Sequence, residues 1–221
     1  MDDLIFTFTQ EQYKIFLQIQ ERAKREELTI EFDFSIPPYT DIFSKNVGDI
    51  INGIRTECGR LLEFEPQNGF FSTSLSGEEI KRLIPAFYDV INKTDALRCT
   101  MYAAASDISK ELSKWQGHEN RTNELYALFL PYKAALLENG DYTEKIVQTE
   151  DQYLSAMDSI IKRKEEFIAM LCTVGTVCDH LIPDFLEEIS RAADTPRFEK
   201  FNDRAFFTSV RNFIQRINNY K

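Results

Sequence analysis

From residue 146 onward apolar residues recur at alternating steps of three and four: Ile146, Tyr153, Met157, Ile160, Phe167, Leu171, Val174, Cys178, Leu181 and Phe185, with Glu150 and Lys164 as the two polar steps. That spacing puts one dry seam on a helix and predicts a long helix over about 142–182, roughly 60 Å at about 1.5 Å per residue. A compact chain of this length is on the order of 45 Å across, so the pattern predicts an elongated bundle. A second seam, from Ile80, Leu83, Phe87 and Val90 through Leu97, Met101, Ala105, Ile108 and Leu112 to Trp115, has Thr94 as its one polar step. It predicts a second long helix over about 77–116. Ser76 and Glu79 open this helix as a capping box, Pro85 is expected to bend it or mark its effective start, and Gln116 with Gly117 is expected to end it. A third helix over about 119–138 turns Leu125, Leu128, Phe129, Tyr132, Leu136 and Leu137 inward, with a kink at Pro131 and a stop at Asn139 and Gly140. Connections this short make neighbouring helices antiparallel.

The first 75 residues read differently. Leu4, Phe6 and Phe8 alternate with polar or β-branched positions, and Leu28, Ile30, Phe32, Phe34 and Ile36 alternate strictly with Thr29, Glu31, Asp33 and Ser35. Both patterns predict strands. Thr9 and Gln12 form a capping box for a helix to about Glu27, with Tyr13, Phe16, Leu17 and Ala23 on one face. A second helix over 39–62 turns Ile42, Val47, Ile50, Ile51, Ile54, Cys58 and Leu61 inward, weakened by Gly48, Gly53 and Gly59. The turn cluster Pro66, Asn68, Gly69 predicts a hairpin over 62–75. The expected fold is therefore mainly α: an elongated antiparallel helical bundle on two long helices, with a small amino-terminal α+β part over 1–75 (strands near 4–8, 28–36 and 62–75). The bundle covers 76–221, and the two parts pack as one unit.

At the carboxyl end Pro183 predicts a kinked continuation or a new short helix to Ala193. A last helix from about Asp203 carries Phe206, Val210, Phe213, Ile214 and Ile217 on one side. Residues 141–194 hold 5 basic and 12 acidic residues, net −7, and residues 195–221 hold 6 basic and 2 acidic, net +4. The basic tail is expected to fold back on the acidic segment.

Composition narrows the function classes. The 36 acidic against 26 basic residues give a net charge of −10, which disfavours sequence-independent binding to nucleic acid or to anionic membranes. Cys58, Cys99, Cys172 and Cys178 form no C-x-x-C pair, so free buried thiols in a reducing compartment are expected. The start, Met1-Asp2-Asp3, is acidic where a secretory signal is basic, and the longest uncharged apolar run, 167–178, is shorter than the roughly 20 residues of a membrane span. These features point to the cytoplasm.

Candidate chemistry is sparse. His118 and His180 are the only histidines, and neither has Glu three positions before it, as a di-iron carboxylate bundle requires. His118, beside Gly117, is expected in an exposed turn. His180 lies near Cys172 and Cys178, but residues two apart on a helix point in different directions, and no second cluster supplies ligands. Glu165-Glu166 and Glu187-Glu188 are adjacent in sequence and face apart, and Ser159-x-x-Lys162 lacks the companion motifs of an acyl-transfer site. The 8 glycines form no phosphate loop. No catalytic, cofactor-binding or metal residue is expected.

A histidine-poor, acidic, helix-rich chain reads as a non-enzymatic protein-binding or scaffold protein that presents a helical face to another protein, or to a second copy. In the tail, Phe198, Phe201, Arg204, Phe207, Arg211 and Arg216 are the candidate partner contacts, since a basic amphipathic helix with several Phe suits a groove; core packing is the competing role for its phenylalanines. One alternative is an acidic inhibitor or decoy for the basic surface of a nucleic-acid-binding protein, carried by Glu144, Glu150, Asp151, Asp158, Glu165 and Glu166. Another is a membrane-active helical protein that inserts 167–178.

Overall fold

The structure, a computed structural model, describes residues 32–66, 75–138, 143–194 and 198–220, with positions 10, 13–15, 17, 18 and 21. Of these, 87% are helical and none is in a strand. Among the described residues, positions 10, 13–15, 17, 18 and 21 are helical, and five α-helices follow in order: α1 (Ile42–Gly59), α2 (Gly77–Glu138), α3 (Thr143–Thr176), α4 (Ile182–Ala193) and α5 (Asp203–Ile217). A 3₁₀ turn, Arg60–Phe64, extends α1, and a π turn, Val177–Leu181, joins α3 to α4. By contacts the chain divides into two units. Met1–Tyr39 with Leu112–Glu166 make the first, and Thr40–Glu111 with Phe167–Lys221 the second, so α2 and α3 each contribute to both.

The α2 helix is longer than its periodicity suggested. Its start follows the capping box: the Ser76 N–H donates to Glu79 Oε2 at 2.7 Å and the Glu79 N–H to Ser76 Oγ at 3.3 Å. The expected stop at Gln116 and Gly117 is absent, and 119–138 continues the same helix through Pro131. A mid-helix glycine costs only about 1 kcal/mol against alanine, and buried Trp115, Thr122 and Phe129 around it keep the helix anchored. Pro85 likewise lies within the helix and does not start it.

In the first unit α2 and α3 run antiparallel, and the two polar steps of the α3 seam set their register. Lys133 Nζ donates to Glu150 Oε1, and Lys164 Nζ donates to Glu119 Oε2 at 3.2 Å. The pairs lie two heptads apart on either helix, so one register satisfies both. Between them Tyr126 stacks on Tyr153 with centroids 3.9 Å apart, and the Tyr153 hydroxyl donates to Asn123 at 3.1 Å. Phe129, Tyr132 and Ile146 form a buried cluster, with Phe32 and Tyr126 packed against it.

The strand expected over 28–36 is corrected in its described part. Residues 32–36 belong to no strand, yet their burial alternates: Phe32, Phe34 and Ile36 turn in while Asp33 and Ser35 stay exposed. The dry side packs on helices, Phe32 edge-on to Phe129 at 5.5 Å and Phe34 edge-on to Tyr153 at 6.0 Å. Period-two alternation records a two-faced segment, whether its neighbour is a strand or a helix. Of the expected 62–75 hairpin, Leu62 and Phe64 lie in the 3₁₀ turn and 67–74 fall outside the described residues, as do the 4–8 strand and the Thr9 capping box.

In the second unit α1 buries Val47, Ile50, Ile51, Ile54 and Cys58, whereas Ile42, expected inside, is 54% exposed at the first turn. The seam of α2 is dry at Leu83, Phe87, Val90, Met101 and Ile108. Its polar step, Thr94, is fully buried beside Cys58, with Oγ1 3.7 Å from the Cys58 sulfur. Gly53 lets α1 approach closely: a Cβ there would stand 3.3 Å from a Leu97 methyl. The helical path runs on past 182: at Thr176 the α-helical pattern gives way to a π turn and resumes at Ile182, because Pro183 has no N–H to donate and its ring crowds the carbonyl four residues back. The chain widens into the π turn, where the Ile182 N–H bonds to the Val177 carbonyl. Buried Val177, Cys178 and Leu181 continue the core through it.

The tail completes this core. Phe185 of α4 stacks on Phe213 of α5 at 4.1 Å, and Phe198 meets Phe87 edge-on at 5.4 Å. Asn202 caps α5 by accepting from the Ala205 N–H at 3.0 Å. Arg216 faces Asp184 at 3.7 Å. The α4 helix ends on Asp194, left-handed at φ 51°.

Candidate interaction face

Among the described residues of the first unit, α3 has a second apolar column one position past its core seam. Ile146 and Ile160 are buried, while Val147, Leu154 and Ile161 are 50%, 57% and 44% exposed. A heptad step drifts only about 20° on an α-helix, so the three hold one stripe. Glu144, Asp151, Asp158 and Glu165 form a parallel column, three residues before or four after the apolar positions, and all four are exposed. Positions three and four apart are neighbours on a helix, so acids line one whole edge of the stripe.

The structure sorts the six acids the sequence singled out. Glu150 faces α2, where Lys133 and the Tyr126 hydroxyl donate to it, and burial together with the Glu150 charge pushes the Tyr126 hydroxyl pKa up. Glu166 accepts from Arg163, whose guanidinium lies 3.2 Å from the Tyr39 ring centroid. The other four have no ion-pair partner among the described residues.

Beyond the acid column opens a cleft of about 540 Å³ between residues 32–36 and α3, lined by Phe34, Asp33, Asp151, Gln152, Ser155 and Ser159 among others. Asp33 accepts from the Ser35 N–H at 2.8 Å, which holds its carboxyl below the ordinary range. The cleft offers two carboxylates, an amide and hydroxyls.

The sequence-predicted tail contacts divide by chemistry. Phe198 and Phe207 are buried and Phe201 is half-buried against Phe198 at 5.9 Å, so these rings serve the core. Arg204, Arg211 and Arg216 are exposed. Arg211 donates to Glu65, and Arg204 borders a shallow cleft with Asn202, Ala205, Thr208 and Ser209.

The remaining candidates stay apart. His118 is a half-buried helical residue 5.7 Å from the Trp115 ring, not the expected turn residue, and His180 is exposed while Cys178 is buried. Among the described residues no group of His, Cys, Asp or Glu is placed to hold a metal. Burial pushes the Cys58 thiol up to about 12 and Cys178 to about 11. Cys99 and Cys172, expected to be buried, are exposed.

The continuous helix Glu144–Ala193 holds an 18-residue window of mean hydropathy 1.3, long and apolar enough by composition to cross a membrane, with 39% of it buried. Within this helix Phe167, Val174, Val177, Leu181 and Ile182 are core residues, and core positions alone account for much of its apolar character.

The described residues thus define a mainly helical protein whose most regular exposed feature is an acid-edged apolar column. Comparisons with known protein families, with curated proteins and with solved structures return no match. The column does not stand out in the sequence beside the seam of higher apolar content; a heptad count from Val147 is the available signal.

Proposed function

We propose that this chain is a non-enzymatic, cytoplasmic protein-binding protein that acts through a face of an antiparallel helical bundle. The observation that carries the reading is the exposure of Val147, Leu154 and Ile161 in one column, on a helix whose core side is already filled by Ile146, Ala156 and Ile160. Scattered exposed apolar residues are ordinary, whereas aligned ones mark interaction surfaces. The test is affinity capture from the source cells with the natural chain and with the triple variant V147E/L154E/I161E. The reading expects one specific protein with the natural chain and its loss with the variant at unchanged helical circular dichroism. Equal capture by both chains, or none by the natural one, overturns it.

The acids Glu144, Asp151, Asp158 and Glu165, which have no ion-pair partner among the described residues, favour a second reading, the acidic decoy that covers a basic nucleic-acid-binding surface. A contact made by charge alone fades steeply with salt and is kept or strengthened by the three added glutamates of the triple variant, so the same capture repeated across a salt series separates the two.

A further inference from the structure

We infer that the occupant of the α3 column is an amphipathic helix of another protein, with apolar residues at three-and-four spacing and lysine or arginine along one flank. The inference rests on the protein-binding reading and adds the chemistry of the partner.

Length comes first. Val147 to Ile161 spans two heptads, about 21 Å, which suits a partner helix of some four turns laid along the column. Three exposed apolar anchors at seven-residue spacing supply one of the two apolar positions per heptad that a helix-on-helix contact uses.

Charge then selects the occupant. Asp151, Asp158 and Glu165 stand beside Leu154 and Ile161 on one edge and have no ion-pair partner among the described residues. A partner with cations at the facing positions gains at each heptad and is steered by the field of the column. A second copy fares differently: antiparallel pairing of this face with itself sets acid column against acid column, in a chain already carrying a net charge of −10. An anionic lipid surface meets the same repulsion.

The test uses the full chain and three labelled 18-residue peptides, read by fluorescence anisotropy. Two carry leucine at heptad positions a and d, one with lysine at e and g and the other with glutamate; the third is the lysine peptide with serine in place of leucine. The lysine peptide is expected to bind and the glutamate peptide to bind at least tenfold more weakly. L154Q/I161Q should weaken the lysine peptide by tenfold or more at any salt. D151N/D158N/E165Q should weaken it chiefly at low salt and flatten its salt dependence. Equal binding of the lysine peptide to all variants overturns the inference, as does equal binding of a lysine peptide whose leucines are replaced by serine. A concentration-dependent dimer in sedimentation that L154Q/I161Q abolishes makes a second copy the occupant and also overturns it. If the lysine peptide fails while cellular capture still depends on Val147, Leu154 and Ile161, the protein-binding reading stands and only the partner's chemistry falls.

Discussion

Glu150 on α3 accepts a hydrogen bond from Lys133 on α2, and this pair turns a flaw in the apolar seam into a register mark. Lys164 and Glu119 repeat the arrangement two heptads away, so a slip of either helix breaks both contacts. Side-chain exposure of 30% at Glu150 and 28% at Lys133 places the pair between surface and interior. Such pairs contribute modestly but specifically. A double-mutant cycle with E150Q and K133M, read by urea unfolding, should return a coupling of about 0.5–1 kcal/mol; additive effects would remove the pair's role.

Glycine at 117 is the next test, since α2 passes through it without a break. A Cβ there meets nothing within 4 Å, whereas one at Gly53 stands 3.3 Å from Leu97. G117A should therefore stabilise the protein by up to about 1 kcal/mol, while G53A gains less because Leu97 must shift. Destabilisation by G117A would mean that α2 breaks at this point in solution.

Asp194 occupies the left-handed region at φ 51° at the end of α4, where glycine and asparagine are favoured. Its carboxylate also lies at the negative end of the helix dipole. D194N and D194G are each expected to raise stability by roughly 0.5–1 kcal/mol, measured as a shift in urea midpoint at constant m-value.

The thiols divide into two pairs. At pH 8, Ellman's reagent should modify Cys99 and Cys172 rapidly and reach Cys58 and Cys178 only on unfolding. The linkage has a definite sign. The Cys58 thiol ordinarily ionises near 9.0 and in the fold near about 12, so the unfolded chain releases its proton first. Stability from this group is full below about pH 9 and falls as pH rises towards 12. C58A should reduce the slope in that window.

Exposure and burial on one helix predict opposite outcomes at neighbouring turns. L154Q should change stability by less than about 0.5 kcal/mol, and I160A should cost roughly 2–4 kcal/mol as a core cavity. A large loss with L154Q would make the column structural.

Much of the helical core was legible in the sequence, because buried seams repeat at helical spacing: Leu83, Phe87 and Val90, or Ile160, Phe167 and Val174, are all dry. Boundaries were less so. Gly117 and Pro131 carry breaker character, but propensity yields when the flanking turns are anchored. Leu137, read as inward, is 54% exposed near the end of α2, where fewer neighbours remain to cover it. The candidate face was half legible: its acids were noticed as a run, but only the helix geometry separates the outward four from Glu150 and Glu166, which have partners.

The most direct measurement of the central claim is photo-crosslinking in source cells from benzoylphenylalanine placed at Leu154, with Asn120, an exposed position on α2, as control. One discrete adduct is expected from position 154, absent from position 120, with the crosslink mapping to a lysine- or arginine-flanked helix of another protein. The same adducts from both positions, or none from 154, would contradict the claim.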